Sequence, residues 1–293
     1  MTSVLVSFCN NFRRYAEVGN NLTLAIVNIV TGDVRPIYIP DHVALKGCTG
    51  IAFHDGAYVA VGQSAPSKLI YLTEDLAYAS DHPLKNTKGV HSLVAFEQQL
   101  LAVATGSDSI VEIREQSIRT IWRKNDLNLD TIHLNSLTHD NGRLAASAFG
   151  PKIDGSWRGA AGGSAFYLDT GETIFESLQQ PHSLHYSDNC MLVCDSSRGR
   201  FLIGNTPHDF EYGYARGLLV IGTTVLVGSS ISRVYSESTG ERVPNPSEPG
   251  MPVGRCGIAI YQRVDTTQSI VSKGFIDLTG YANELFEIRP FRA

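Results

Sequence analysis

A short phrase returns six times along this chain of 293 residues, each copy at the head of an apolar run. The copies read Cys48-Thr49-Gly50-Ile51, Val90-His91-Ser92-Leu93, Leu134-Asn135-Ser136-Leu137, Pro181-His182-Ser183-Leu184, Ala215-Arg216-Gly217-Leu218 and Ala282-Asn283-Glu284-Leu285. After each of the first five comes a tight turn, then a second apolar run ending in small residues, as in GIAFHDGAYVAVGQSA and GLLVIGTTVLVGSS. Repetition on this scale means a solenoid, a propeller or an array, because one unit cannot bury its own apolar faces. The second residue of the phrase recurs at intervals of 42, 44, 47, 34 and 67 residues, which suits a four-stranded blade with connections of uneven length.

Runs rich in Val, Ile, Leu, Tyr and Phe are short and are cut by HDG, DNG, SDN, TG and SG turns; no stretch keeps a capped helical period. The fold class is all-β. One strand, NELFEIRPF, closes the chain, and SVLVSFC, LTLAIVNI and VRPIYIP precede the first phrase. Together these four make the missing blade and leave neither end of the sheet stack open to aggregation. The expectation is a six-bladed β-propeller in a single domain over residues 1–293. It is closed by one C-terminal strand plus three N-terminal strands, with blades starting near Thr49, His91, Asn135, His182, Arg216 and Asn283.

A closed ring gathers those six side chains at its axis, with His91 facing Arg216, Asn135 facing Asn283, and Thr49 facing His182. Two residues before Asn135, His133 falls on the same side of the strand, nearer the mouth. Glu284 follows Asn283 directly and points the other way in a regular strand. Three connections exceed the rest, at 9–21, 150–163 and 229–255, and strand alternation puts all three over the axial face. They carry Tyr15, Trp157, Arg158 and Arg233, basic and aromatic groups that suit an anionic or ring-bearing ligand.

Arg216 presents a fork of donors for a carboxylate or phosphate. Asn135 and Asn283 orient a hydroxyl or carbonyl, and His91 and His182 exchange protons near neutrality. The leading expectation is an enzyme that acts by acid/base proton transfer on a small polar or anionic metabolite, as lyase, isomerase or hydrolase. His91, His182 and His133 are its catalytic candidates, and Arg216, Asn135, Asn283, Thr49, Trp157, Arg158, Arg233 and Tyr15 its substrate contacts. One alternative makes His91, His133 and His182 ligands of a divalent metal ion in a hydrolase or lyase. The other is a non-catalytic propeller that binds a ligand or a protein. No GxSxG, HExxH or P-loop pattern is present.

A formal charge of −5 argues against nucleic acid and anionic membranes as partners. The first residues, MTSVLVSFCNN, lack the basic start and apolar length of a signal peptide. Five cysteines with no CxxC pair read as reduced, buried thiols in the cytoplasm.

The segments HLNSLTHDNGRLAASAFG, QPHSLHYSDNCMLVCDSSRG and YARGLLVIGTTVLVGSSISR resemble the strand signatures of a bacterial propeller family, domain of unknown function 4915. The resemblance rests on His133 with Asn135, on Pro181-His182-Ser183 and on Arg216-Gly217-Leu218, and spans roughly residues 89–233. It implies a propeller and names no reaction. The family pattern has an acidic or amide residue after the Asn, where this chain has Ser136. More remotely, the architecture is similar to six-bladed lactonase-type propellers, which hold a divalent ion through axial Glu, Asn and Asp.

Overall fold

The apolar runs behind each phrase are buried along nearly their whole length, residues 100–104 and 191–195 among them. A strand buried on both faces needs a neighbour on each side of its sheet. Six four-stranded antiparallel sheets standing in a ring provide those neighbours, as the repeat predicts. The computed structural model describes residues 2–10, 22–114, 117–157, 159–160, 162–231, 254–264 and 269–291.

In chain order the first blade holds β1 (Ser3–Phe8), β2 (Leu24–Asn28) and β3 (Val34–Pro36), with the chain's last strand as its innermost member. The second holds β4 (Cys48–His54), β5 (Ala57–Gly62), β6 (Lys68–Leu72) and β7 (Tyr78–Pro83). The third runs through β8 (Val90–Phe96), β9 (Gln99–Ala104), β10 (Ser109–Arg114) and β11 (Ser117–Arg123), and the fourth through β12 (Leu134–Asp140), β13 (Arg143–Ala148), β14 (Gly163–Tyr167) and β15 (Thr173–Leu178). The fifth comprises β16 (Pro181–Ser187), β17 (Cys190–Asp195), β18 (Arg200–Ile203) and β19 (Thr206–Asp209), and the sixth β20 (Tyr214–Ile221), β21 (Thr224–Ser230), β22 (Gly257–Arg263) and β23 (Ile270–Asp277). The closing strand β24 (Leu285–Pro290) pairs with β1 and packs against both β20 and β4, which completes the circle. The apolar cores lie between adjacent blades: Leu5, Leu24, Ile51 and Ile70 fill one, and Leu192, Phe201, Leu218 and Val225 another.

The repeated phrase encodes a bulge. In each of the six inner strands the pairing register slips within the phrase, for example between Cys48 and Ile51 and between Val90 and Leu93. A bulge frees one residue from the ladder and re-aims its side chain. Here that residue turns to the axis.

The third residue of the phrase ties blade to blade. Ser92 Oγ accepts the Leu137 N–H at 3.4 Å, Ser136 Oγ accepts the Leu184 N–H at 3.0 Å, and Ser183 Oγ accepts the Gly217 N–H at 2.7 Å. Glu287 Oε2 does the same for the Ile51 N–H at 3.0 Å, across the closure. Ser136 therefore serves in this lattice, also lying 2.5 Å from Ser147 Oγ. At Gly50 the next blade comes closer still: a Cβ there would sit 2.4 Å from the Leu93 nitrogen. Although three other copies of the phrase carry Ser at this place, Gly50→Ser should cost about 1–3 kcal/mol, the range for overpacking. The urea unfolding midpoint checks this; an unchanged value would show that β8 can retreat from β4.

Candidate functional site

Four of the six predicted residues, His91, Asn135, His182 and Arg216, meet at the axis, and Thr49 holds the equivalent point of its own bulge. Thr49 is fully buried and structural in its bonding: its Oγ1 donates to the Val90 carbonyl at 3.1 Å, and its own carbonyl accepts from Ser7 Oγ. Asn135 Nδ2 lies 3.3 Å from His91 Nδ1, while Asn135 Oδ1 is buried with no hydrogen-bond partner among the described residues. His182 Nδ1 is 2.9 Å from the Gln180 carbonyl and 3.1 Å from Ser196 Oγ. A carbonyl oxygen can only accept, so Nδ1 carries the proton and Nε2 the lone pair. Burial, seconded by the Arg216 charge, holds the His182 imidazole well below its usual range. His182 is thus neutral near pH 7.

The sixth place is held by Phe286, which corrects the expectation for Asn283. Strand β24 slips its register between Leu285 and Glu287, and Ser230 Oγ donates to the Leu285 carbonyl just as Ser196 Oγ donates to that of Ala215. The sixth phrase is therefore Leu285-Phe286-Glu287-Ile288, three residues later than read from sequence. Asn283 lies before the strand, half-buried, its carbonyl accepting the Ile231 N–H. The Phe286 ring reaches across the axis to His91 at 5.8 Å, His182 at 6.4 Å and the Arg216 guanidinium at 5.6 Å.

Two residues before each ring position stands a second tier, made of Gly47, Gly89, His133, Gln180, Tyr214 and Glu284. Gly89, His133 and Gln180 share a left-handed backbone, with φ of 58°, 51° and 51°. Buried carboxylates pin this unfavourable turn. Asp108 accepts the N–H groups of Thr131, Ile132 and Leu134 around His133, and Asp195 accepts that of Gln179 beside Gln180. Glu284 belongs to this tier and faces inward, contrary to the strand-alternation expectation, because β24 begins only at the next residue. Its Oε2 accepts Arg216 Nη1 at 2.9 Å and Asn10 Nδ2 at 3.0 Å. Cys9 Sγ joins them, 3.4 Å from Glu284 Oε2 and 3.4 Å from Arg216 Nη1. Arg216 Nε is buried and has no partner among the described residues.

His133 stands over this axis as predicted, in an aromatic stack with Phe149 at 4.4 Å, Trp157 at 4.8 Å and His91 at 5.4 Å, its Nδ1 held by Asp130. Phe149 also touches His182 at 5.1 Å. Trp157 brings the 150–163 connection over the axis: its carbonyl accepts Gln180 Nε2, and the Lys152 ammonium lies 4.7 Å from its ring. Tyr15, Arg158 and Arg233 lie outside the described residues. Among the described residues no three His, Cys, Asp or Glu side chains are grouped to hold a metal ion. No helix among them is long and apolar enough to cross a membrane. A crevice of about 520 Å³ opens between the outer strands of the second and third blades, beside Tyr71, Lys85 and Arg123, and no axial residue lines it.

Sequence reasoning missed Phe286, Glu284 as an axial group, and Cys9. For Cys9 the one available signal was its place at the end of β1, where the chain runs back to the axis.

Comparison with solved structures supports the architecture. A nidogen/laminin complex superposes with a TM-score of 0.61 at 9% identity, over 98% of this chain and 97% of that one. A protein of unknown function from Bacteroides caccae gives 0.59 at 10% identity over 99% of each chain. The PQQ-bound aldose sugar dehydrogenase of Streptomyces coelicolor gives 0.53 at 14%, over 80% and 86%. Identities this low show a shared fold and nothing finer. Among curated proteins nothing matches. Residues 75–292 match the model of the family described as Domain of unknown function (DUF4915). With about three quarters of its length inside that match, the chain belongs to the Domain of unknown function (DUF4915) family.

Proposed function

We propose that the axis is the site of an enzyme that moves protons on a small polar molecule, with His182 as base and His91 as acid. One observation carries this reading: two histidines at equivalent ring positions meet opposite kinds of group at Nδ1, a carbonyl oxygen at His182 and an amide nitrogen at His91. His182 donates through Nδ1 to the Gln180 carbonyl, which leaves the Nε2 lone pair to take a proton. His91 Nδ1 accepts from the Asn135 amide, which puts the ring proton on Nε2, the atom this reading uses as acid. Asn135 Oδ1 offers a buried acceptor for a substrate hydroxyl or N–H. Because Glu284 already answers the Arg216 charge, the site favours a molecule of low net charge over a strongly anionic one. His133 and Trp157 form one wall of the approach. The metal-dependent alternative draws less support, since Phe149 packs against both the His133 and the His182 rings.

The test is nitrogen NMR on histidine-labelled protein. The His182 signals should report a neutral, Nδ1-protonated ring from pH 8 to below pH 6, and those of His91 an Nε2-protonated one. Titration with a panel of small hydroxy- and keto-compounds should shift both sets together. A His182 that becomes an imidazolium near pH 6.5, or a panel that leaves both rings undisturbed, would sink the proposal.

The same burial has a stability signature. The unfolded imidazole takes a proton near 6.5 and the folded one only well below that. Stability contributed by this group is therefore full above pH 6.5 and is lost as pH falls toward the folded value.

A further inference from the structure

We infer that Cys9 is a nucleophile of the axial site and that the substrates are acyl compounds, carboxylic esters or thioesters, attacked at the carbonyl carbon. The inference rests on the axis being a reaction site, as proposed above, and adds a group that the histidine reading does not use.

Buried structural thiols sit among apolar side chains, and four of the five cysteines here do. Cys48, Cys194 and Cys256 belong to the apolar cores between blades, and Cys190 packs at the margin of one. Burial raises all four thiols, that of Cys48 to about 12, so they stay protonated near neutral pH. Cys9 differs in its surroundings. Its Sγ donates to Glu284 Oε2 at 3.4 Å and accepts from Arg216 Nη1 at 3.4 Å and from Asn10 Nδ2 at 3.5 Å. A proton acceptor and two donors on one sulfur are what a thiol needs to become a thiolate. The position is built closely: a Cβ at Gly47 would stand 2.8 Å from the Cys9 Cα, so only glycine lets the end of β1 lie here.

A second atom of Arg216, not the one bonded to the sulfur, points to a ligand. The residue is 8% exposed, and its Nε has no partner among the described residues although its Nη1 is bound to Glu284 and Cys9. That N–H is the donor available to a substrate carbonyl oxygen.

The step balances within these groups. The Cys9 proton passes to Glu284 as sulfur bonds to the carbonyl carbon, and the carbonyl oxygen takes the negative charge beside Arg216 Nε–H. Collapse breaks the bond to the leaving alkoxide or thiolate, which recovers the proton from Glu284. Water then attacks the thioester, its proton passing through Glu284 to the Cys9 sulfur, and the acid leaves.

p-Nitrophenyl acetate is the probe. The full chain should release about one equivalent of p-nitrophenolate in a burst and carry one acetyl group, mapped by mass spectrometry to Cys9. The burst should vanish in Cys9→Ala and slow at least about tenfold in Glu284→Gln. Asn10→Ala, which removes one donor from the sulfur and from Glu284 Oε2 but keeps both charges of the buried ion pair, should slow it by a smaller factor and guards against a Glu284 variant that misfolds. The burst reads Cys9, while the nitrogen NMR described above reads His182 and His91 without any acylation, so failure of the histidine reading and failure of this one are separate results. Acetyl on Cys190 instead, no acetyl at all, or a burst unchanged in both Glu284→Gln and Asn10→Ala would overturn the inference.

Discussion

Phe286→Ala should lower the unfolding free energy by about 3–5 kcal/mol, the range for removing a phenyl ring from a packed interior. The ring touches His91, His182 and the Arg216 guanidinium from the centre of the axis, so no single blade can move in to fill the space it leaves. It also separates three polar groups that would otherwise face one another with a cation among them. The loss should show as a lower urea midpoint with an unchanged slope. Phe286→Leu, which keeps most of the volume, should recover more than half of it. A loss below about 1 kcal/mol for alanine would mean that the axis is not held by this side chain.

Glu287→Ala should cost about 3 kcal/mol, because it strips the Ile51 N–H and the Arg289 guanidinium of the carboxylate they share at the closure. Glu287 accepts the Ile51 N–H at 3.0 Å and pairs with Arg289 at 2.5 Å, and Arg289 Nε in turn donates to the Ile51 carbonyl. Glu287→Gln can still accept from Ile51 and should cost less. It should also change the pH dependence. Burial is the first cause holding the Glu287 carboxyl above its usual value, with Arg289 pulling the other way. The folded state therefore holds this proton more tightly than the unfolded one. The contribution is full below about 4.5 and falls as pH rises through the folded value. Urea titrations at several pH values should show that slope in the parent and not in Glu287→Gln.

The ring architecture was readable because five phrases share small or polar residues at the bulge, flanked by apolar runs of one length. The sixth was not, because its ring residue is Phe286 and its latch residue is Glu287, where other blades carry Thr, His, Asn or Arg and Ser or Gly. Ala282-Asn283-Glu284-Leu285 imitates the phrase three residues too early. Counting from the phrase predicted His91, Asn135, His182 and Arg216 together at the axis, and they are. It said nothing about which nitrogen of each imidazole bears the proton, since the Gln180 carbonyl and the Asn135 amide come from outside the histidine's own position. Nor did it reveal that Arg216 is already paired, because Glu284 and Cys9 reach it from opposite ends of the polypeptide.

Cys9 and Glu284 are separated by 275 positions yet touch at 3.4 Å. Synthesis runs from Cys9 toward Glu284, so the sulfur leaves the ribosome long before its carboxylate neighbour does. Between those two moments the nascent chain holds Cys9 without the neighbour that meets it in the folded ring. A chain cut short between the two positions would lack Glu284 and strand β24 together, and with them the pairing that seals the circle.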